Sequence, residues 1–308
     1  MCWSRSSASE LAGGGAAPGR RVCPCGPPSR RFPPVRSLLL ASALAAAAGC
    51  GPEEAGDGSG RDGAPVASTG AAGEGAGAPG GAGVAGSTPR ANNANGDDLA
   101  HRRRALVAEL EEKGIEDRRV LDAIARVPRH EFVPPEYRGM SYEDRALPIA
   151  EGQTISRPAD VALMLELLEL DGDEKVLEVG TGSGYQAALL GCLAREVYTI
   201  EIRKRLKEEA AARLDAVRER GLLRCETLEI VEGDGARGYP PAAPYHAIVV
   251  TAASDSVPED LVDQLRPGGR LIIPVGNRFQ ELKLVERRAD GTTESRIIKT
   301  VRYVRLEK

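Results

Sequence analysis

The chain has 308 residues, with 41 Lys and Arg against 45 Asp and Glu. The first 49 residues hold six of the Arg and one Glu, so residues 50–308 carry 35 bases, 44 acids and a net charge of −9. A body this acidic lacks the clustered cations that neutralise phosphates, which excludes non-specific nucleic-acid binding.

The cysteines are too scattered to form a zinc site or a disulfide scaffold. Four of the six fall in or beside the N-terminal segment, namely Cys2, Cys23, Cys25 and Cys50. The other two, Cys192 and Cys225, have no partner at metal-ligand spacing. We therefore expect no metal site, and Cys192 and Cys225 are interpreted as small buried apolar residues.

Residues 1–49 have the features of a secretory signal. An Arg-rich stretch precedes the apolar run 37–49, which is too short to span a bilayer as a helix of about 20 residues. Ala47-Ala48-Gly49-Cys50 resembles a bacterial lipobox, in which the Cys is lipidated and becomes the new N-terminus. The alternative is an Ala-rich stretch translated from a misassigned start codon, upstream of a cytosolic enzyme.

Residues 50–98 are predicted to be a disordered linker. Between 51 and 98 there is no Leu, Ile or aromatic residue, and the only Val are Val66 and Val84. Such a segment cannot bury enough apolar surface to offset its ordering entropy. Its Gly and Ala content is typical of a flexible tether.

Residues 99–308 are predicted to form one α/β domain. Helical patterns occur at 102–113 and 118–126, followed after an irregular segment by 159–170. Short β-rich runs then alternate with helical patterns, which indicates a doubly wound, largely parallel sheet covered on both faces. The runs are 175–179, 197–201, 228–231, 247–251 and 271–275, and the helices 184–194, 203–220 and 258–265. Residues 281–286 and 297–306 are predicted to add a C-terminal antiparallel hairpin, with Asp290-Gly291 as its turn.

A glycine-rich turn follows the first of these strands, in the sequence Glu178-Val179-Gly180-Thr181-Gly182-Ser183-Gly184-Tyr185. Such a turn lets a ligand approach the backbone beside a helix N-terminus. The spacing is G-x-G-x-G, whereas a dinucleotide fingerprint would place its third Gly at position 185. It resembles the nucleoside loop of S-adenosylmethionine methyltransferases. A purely structural turn is the alternative.

Two further positions at strand ends favour an adenosine ligand. Glu201 ends the second strand, where a carboxylate can accept hydrogen bonds from both ribose hydroxyls. Gly233-Asp234-Gly235 follows the third strand, where Asp234 can receive the adenine amino group. The alternatives are a solvated strand-end acid and a tight Asp-Gly turn.

The segment before the first strand is similar to the signature of protein-L-isoaspartate O-methyltransferases. It comprises residues 142–158, Tyr-Glu-Asp-Arg-Ala-Leu-Pro-Ile-Ala-Glu-Gly-Gln-Thr-Ile-Ser-Arg-Pro. Residues 126–129, 131–134 and 249–253 resemble the same family, and the similarity covers essentially all of 102–304. The resemblance is to the bacterial type of this family, and it implies a Rossmann-like methyltransferase sheet.

This resemblance implies a repair reaction and its site. A methyl group passes from S-adenosylmethionine to the free α-carboxylate of an L-isoaspartyl residue in a damaged protein, and the ester then collapses to a succinimide that reopens partly to aspartate. Ser156 is the catalytic candidate. The resemblance places the cofactor against Thr154, Ile155, Glu178, Gly180, Thr181, Gly182, Ser183, Gly184, Tyr185, Glu201, Asp234, Gly235 and Thr251.

Elementary chemistry agrees with a hydroxyl in the catalytic position. A carboxylate has a free pKa of about 4, so it is already ionised at neutral pH and needs no strong general base. Attack on a sulfonium methyl depends mainly on positioning and on exclusion of water. A hydroxyl that orients one carboxylate oxygen suits this task. The alternative for Ser156 is a helix cap, because Pro158 and an apolar helix follow it.

Two departures from the family's pattern concern the substrate side. Ala150-Glu151 replaces a pair such as Gly-His and adds a negative charge near an anionic substrate, and Arg305 stands where the family commonly has Pro. The runner-up functions are methylation of a small-molecule acid and a non-catalytic, envelope-tethered binding protein. We expect a monomer, cytoplasmic by resemblance and cofactor supply, against the alternative of an envelope lipoprotein anchored at Cys50.

Overall fold

The structure is a computed structural model that describes residues 96–308. The predicted leader, the linker up to residue 95 and the lipidation site at Cys50 lie outside the described residues. Within 96–308, no helix combines the length and the apolar character needed to cross a membrane.

Two helices open the domain, α1 (Gly96–Glu112) and α2 (Arg118–Arg126). The Asp117 carboxylate caps α2 by accepting hydrogen bonds from the backbone N–H of Arg119 (2.8 Å) and Val120 (3.3 Å). The helix buries one apolar face and ends before Pro128, which cannot continue it. The predicted bounds of α2 are confirmed, whereas α1 begins six residues earlier than its pattern suggests.

The signature segment folds into a short antiparallel pair and a helix. Strands β1 (Leu147–Pro148) and β2 (Thr154–Ile155) pair with Leu147 opposite Ile155. Helix α3 (Pro158–Leu167) follows directly. It is shorter than the predicted 159–170 because Glu169 takes a left-handed conformation (φ 51°) that turns the chain.

The rest of the domain alternates strand and helix as predicted. In chain order it contains β3 (Lys175–Val179), α4 (Tyr185–Leu193), β4 (Glu196–Glu201), α5 (Lys204–Glu219), β5 (Thr227–Glu232), β6 (Tyr245–Val250), α6 (Glu259–Asp263), β7 (Leu265–Val275), β8 (Gln280–Arg287) and β9 (Thr293–Val301). The seven strands of the main sheet lie in the order β5-β4-β3-β6-β7-β8-β9. The first five are parallel and the last two antiparallel, which confirms the α/β class and the C-terminal hairpin.

Apolar residues alternate between the two faces of this sheet. On β3, Val176 packs into the core beneath α2, α3 and α4, while Leu177 and Val179 pack into a second core on the opposite face. Side chains two residues apart share a face of a strand, so one strand supplies both cores. Both faces are therefore covered.

Strand β3 is the point at which the strand order reverses. It pairs with β4 on one side and with β6 on the other, both in parallel register. The loops that follow these strands diverge in opposite directions and leave a crevice at the carboxyl edge of the sheet. This crevice positions the candidate site.

The C-terminal hairpin differs from its prediction at its second strand. β9 runs from Thr293 to Val301, so it begins four residues before the predicted 297 and ends five residues before the predicted 306. The chain then crosses back to the carboxyl edge, where Ala253 N donates to Val304 O (2.7 Å) and Leu306 N donates to Ala253 O (2.8 Å). Residues 304–306 therefore pair with the segment after β6 and border the crevice.

Candidate active site

The crevice is a cleft, open to solvent, at the carboxyl ends of β3, β4, β5 and β6. Most of the predicted site residues line it, although they come from distant parts of the chain. They are Thr154, Ile155, Ser156, Glu178, Gly180, Thr181, Gly182, Ser183, Tyr185, Glu201, Gly235 and Thr251. Two predicted contacts, Gly184 and Asp234, are not among the lining residues.

The glycine-rich turn requires glycine for close approach at Gly180. Its φ is 95°, and a Cβ built there would lie 2.4 Å from Thr251 Oγ1. The Thr251 hydroxyl fills that space and donates to the carbonyl of Gly180 (2.7 Å). Thr251 therefore joins the end of β6 to the turn after β3.

Gly184 has a structural role. It precedes α4 with φ 87°, and a Cβ there would lie 3.3 Å from Ala210 Cβ on α5. The position brings the start of α4 close to α5, away from the cleft. Its predicted cofactor contact is not supported by this placement.

Glu201 joins the ends of two neighbouring strands. Its carboxylate accepts hydrogen bonds from the backbone N–H of Gly182 (2.8 Å) and of Arg203 (3.0 Å), one on each oxygen. The side chain is largely buried and borders the cleft. Each carboxylate oxygen keeps a second lone pair, which leaves Glu201 able to accept from a diol.

The Asp234 carboxylate is hydrogen-bonded within the turn that begins at this residue. Its carboxylate accepts from the backbone N–H of Ala236 (2.9 Å) and lies 3.6 Å from the Arg237 guanidinium. This is the tight-turn role that the sequence left open. Its flanking residues, Gly233 and Gly235, face the cleft instead.

A buried chain of hydroxyls ends at Glu178. Thr199 Oγ1 donates to Glu178 Oε2 (2.6 Å), so its own acceptor position is free for the Thr181 hydroxyl at 2.7 Å. Glu178 is fully buried, and its other oxygen has no hydrogen-bond partner among the described residues. Burial raises the pKa of the Glu178 carboxyl to about 8; the Thr199 hydrogen bond opposes the shift and the Glu201 charge adds to it.

Ser156 lies between β2 and α3 at the wall of the cleft. It does not cap α3, because Arg157 occupies the N-cap position and makes no side-chain cap hydrogen bond. The Asp144 carboxylate performs that function by accepting from the backbone N–H of Ala159 (2.8 Å). The helix-capping interpretation of Ser156 is therefore wrong.

Asp144 is a key residue of the signature segment that the sequence did not single out. Its side chain is 4% exposed and pairs with the Arg157 guanidinium (2.7 and 3.0 Å) and the Lys113 ammonium. Burial alone would raise the pKa of Asp144, but these hydrogen bonds outweigh it and lower the pKa to about 2. The ion pairs fix the segment around Ser156 to α1 and α3.

Arg129 holds the backbone of Ser156 through a hydrogen bond. Its guanidinium is fully buried and donates to the carbonyls of Ser156 (2.8 Å) and Ser141 (2.9 Å). It also lies 5.0 Å from the centre of the Tyr185 ring, a cation–π contact with the turn after β3. Burial lowers the pKa of Arg129 to about 10. Only its place within the family-like stretch 126–129 pointed to it.

Tyr303 reaches the same region from the chain after β9. Its hydroxyl lies 3.1 Å from the Met164 sulfur of α3 and neighbours the Ser156 side chain. Burial raises the pKa of Tyr303, and Ser156 partly offsets the shift. An aromatic residue after the final strand gave no signal of this contact in the sequence.

The two departures from the family's pattern are both neutralised by ion pairs at the cleft rim. Glu151, at φ 58°, pairs with the Arg203 guanidinium (3.2 Å), which also contacts Glu307. Arg305 forms a two-point pair with Asp255 (2.9 and 2.9 Å). Arg205 also lies 3.9 Å from Glu151, so two cations face these two acids and the charge that Glu151 brings near the substrate side is compensated.

Among residues 96–308, no group of His, Cys, Asp and Glu is arranged to hold a metal ion. His130 and His246 form hydrogen bonds with other residues of the domain. His130 Nδ1 lies 2.7 Å from the Tyr142 hydroxyl, and His246 Nδ1 accepts from Lys175 N (3.1 Å). Burial lowers the pKa of both imidazoles.

Comparison with known proteins agrees with this geometry. Residues 101–308 match the family model of protein-L-isoaspartate(D-aspartate) O-methyltransferase. The chain belongs to this family. It is 50% identical over 195 residues to the protein-L-isoaspartate O-methyltransferase of Dictyoglomus thermophilum, covering 63% of this chain and 86% of that protein. It is 52% identical over 203 residues to that of Anaeromyxobacter dehalogenans, covering 65% and 95%.

Solved protein-L-isoaspartate O-methyltransferases share the fold. One structure is 31% identical with a TM-score of 0.58, covering 67% of this chain and 66% of the other. A second, from Plasmodium falciparum in complex with S-adenosyl-L-homocysteine, is 24% identical with a TM-score of 0.59, covering 67% and 98%. Residues 1–100 of this chain lie outside the family match.

Proposed function

We propose that this chain is a repair enzyme that transfers a methyl group from S-adenosylmethionine to the free α-carboxylate of L-isoaspartyl residues in damaged proteins. The observation that carries the proposal is the signature segment, which presents the Ser156 side chain at the wall of the cleft beside the glycine-rich turn. Family membership supports the same reaction.

The residues of the cleft suit S-adenosylmethionine. Gly180 and Gly182 line the cleft without side chains, so the backbone can lie close to a ligand, and Glu201 has lone pairs for the ribose hydroxyls. The unpartnered Glu178 oxygen leaves a buried hydrogen-bonding atom at the cleft that a polar group of the ligand can satisfy. The same cleft has no cluster of Lys and Arg of the kind that would favour a pyrophosphate.

The chemistry divides between the cofactor and the protein. S-adenosylmethionine supplies an electrophilic methyl group on a sulfonium, and its sulfur leaves as a thioether. A substrate carboxylate oxygen forms the new bond without losing or gaining a proton, so the chain needs no general base. Ser156 donates a hydrogen bond to the second carboxylate oxygen and aims the first, while Arg129 and Asp144 hold Ser156 in place.

The test is methyl transfer by the full chain from labelled S-adenosylmethionine to an isoaspartyl peptide and to its aspartyl twin. We expect label on the isoaspartyl peptide alone. Label on neither peptide, with cofactor binding intact, would move the activity to another acceptor such as a small-molecule acid. Loss of cofactor binding as well would favour a non-catalytic binding protein.

We further propose a cytoplasmic location for the monomeric enzyme, since S-adenosylmethionine is made in the cytosol. The competing hypothesis is a lipoprotein tethered at Cys50. Cell fractionation together with the mass of the mature N-terminus separates them. A membrane-bound form that begins with a lipidated Cys50 would overturn the cytoplasmic proposal, and an unmodified chain in the soluble fraction would support it.

A further inference from the structure

The loop between β7 and β8, residues 276–279, presents a large apolar side chain to solvent. Phe279 is 87% exposed. Two other large apolar side chains are exposed among the described residues, Ile202 at 37% and Ile297 at 59%. A single exposed apolar residue is ordinary on a protein surface, so the position of Phe279 decides its meaning.

The loop lies at the same edge of the sheet as the cleft. β7 is parallel to β6, so its carboxyl end and the loop after it fall on the edge where the candidate active site opens. Gly276 N donates to Ser254 O (2.8 Å), which ties the loop to the segment after β6. Ser254 is next to Ala253, which pairs with the cleft-lining residues 304–306.

The far end of the loop is fixed to Tyr303. Gln280 Nε2 donates to Tyr303 O (3.0 Å), and Tyr303 N donates to Gln280 Oε1 (2.6 Å). Tyr303 in turn neighbours Ser156. Two side chains therefore link the exposed Phe279 to the catalytic candidate, and the loop is held in place although its tip is free.

An unpaired cation lies next to Phe279. Arg278 is exposed and forms no ion pair with any of residues 98–308. An extended substrate advances about 3.3 Å per residue, so the residues that flank the isoaspartyl position extend beyond the cleft toward the segments at its edge. Aromatic residues and Arg are enriched where polypeptides bind, so an exposed Phe beside an unpaired Arg is a suitable contact for such a segment.

We propose that Phe279 and Arg278 dock the polypeptide segment that flanks the isoaspartyl residue, with Phe279 contacting an apolar side chain of the substrate. The proposal rests on the proposed function and assigns it a specificity-determining surface. This surface favours isoaspartyl sites whose neighbouring residues are apolar.

The test uses Phe279→Ala in the full chain and two isoaspartyl peptides, one flanked by Leu on both sides and one by Gly. We expect KM for the Leu-flanked peptide, and its Kd by fluorescence anisotropy, to rise about tenfold, since an apolar contact is lost. KM for the Gly-flanked peptide and for S-adenosylmethionine should be unchanged. Ile297→Ala is the matched control, because it removes an exposed apolar side chain from β9. It should change neither KM nor Kd for either peptide.

Equal effects of Phe279→Ala on the two peptides, or none on either, would overturn the docking surface. A concentration-dependent dimer that Phe279→Ala abolishes, with both peptide constants unchanged, would assign the residue to self-association instead. Methylation of isoaspartyl peptides without any dependence on Phe279 would refute this inference alone. A wild-type chain that neither methylates nor binds these peptides would refute the proposed function as well.

Discussion

A buried acid at the cofactor cleft makes stability depend on pH. Glu178 has a folded-state pKa of about 8, above the ordinary value of 4.5, so the unfolded chain binds fewer protons between these limits. Its contribution to stability is fully present below about pH 4.5 and is lost as pH rises toward 8. The acid is therefore a protonated hydrogen-bonding group over much of this range.

Glu178→Gln should remove this dependence. Relative to the variant, the free energy of unfolding of the wild-type chain without cofactor should fall by about 1 kcal/mol per pH unit between pH 5 and pH 8. Denaturant unfolding at four pH values measures it. Glu226→Gln, at an exposed position, is the control, and its free energy of unfolding should change with pH as that of the wild type does. If the unfolding free energies of Glu178→Gln and of the wild type changed with pH in the same way, Glu178 would have an ordinary pKa.

Ser156 should affect turnover much more than stability. We expect Ser156→Ala to lower kcat/KM for an isoaspartyl peptide about 100-fold, since a hydrogen bond that orients the reacting carboxylate is lost. Its melting temperature should change little, because the Ser156 side chain does not cap α3. Ser295→Ala, on the exposed face of β9, should keep full activity. Full activity in Ser156→Ala would contradict the catalytic assignment.

At the level of elements, the signature segment is held by one carboxylate. Asp144 caps α3 from outside the helix and binds two cations, Lys113 directly after α1 and Arg157 directly before α3. Because its pKa is lowered to about 2, it stabilises the fold above about pH 4, and this contribution is lost as pH falls toward 2.

Asp144→Asn should cost about 2 kcal/mol of unfolding free energy at pH 7, and the difference from wild type should narrow between pH 4 and pH 3. Denaturant titrations at these pH values give both numbers. Asp122→Asn, on the exposed face of α2, should be neutral. A pH-independent loss would mean that packing of the carboxyl, and not its charge, is what matters.

The elements were predictable where local pattern decides them. β3 and α2 match their predicted bounds because an apolar run or a helical face ends at a residue that breaks it, as at Pro128. β9 was predicted too far toward the C-terminus because nothing local reveals that residues 304–306 leave the hairpin to pair with Ala253. Arg129, Asp144 and Tyr303 were missed for a related reason, since they act on Ser156 or its surroundings through contacts distant in sequence.

At the scale of the whole domain, the site depends on complete folding. Residues from 153 to 307 border one cleft, and they come from the signature segment, from the loops after four strands and from the chain beyond β9. Parallel strands are joined only by long crossovers, so none of these loops meets the others until the sheet is assembled. A partly folded chain therefore presents no complete cofactor site.

The cleft accordingly links the survival of the protein to the supply of its cofactor. A ligand that binds only the folded state adds about 2.7 kcal/mol to stability at a concentration of 100 times its Kd, and it slows proteolysis of opened forms by the same mass action. Thermal-shift profiles in cells should therefore move with the S-adenosylmethionine pool. A cell with little S-adenosylmethionine therefore has a lower concentration of the methyl donor and also retains less folded enzyme.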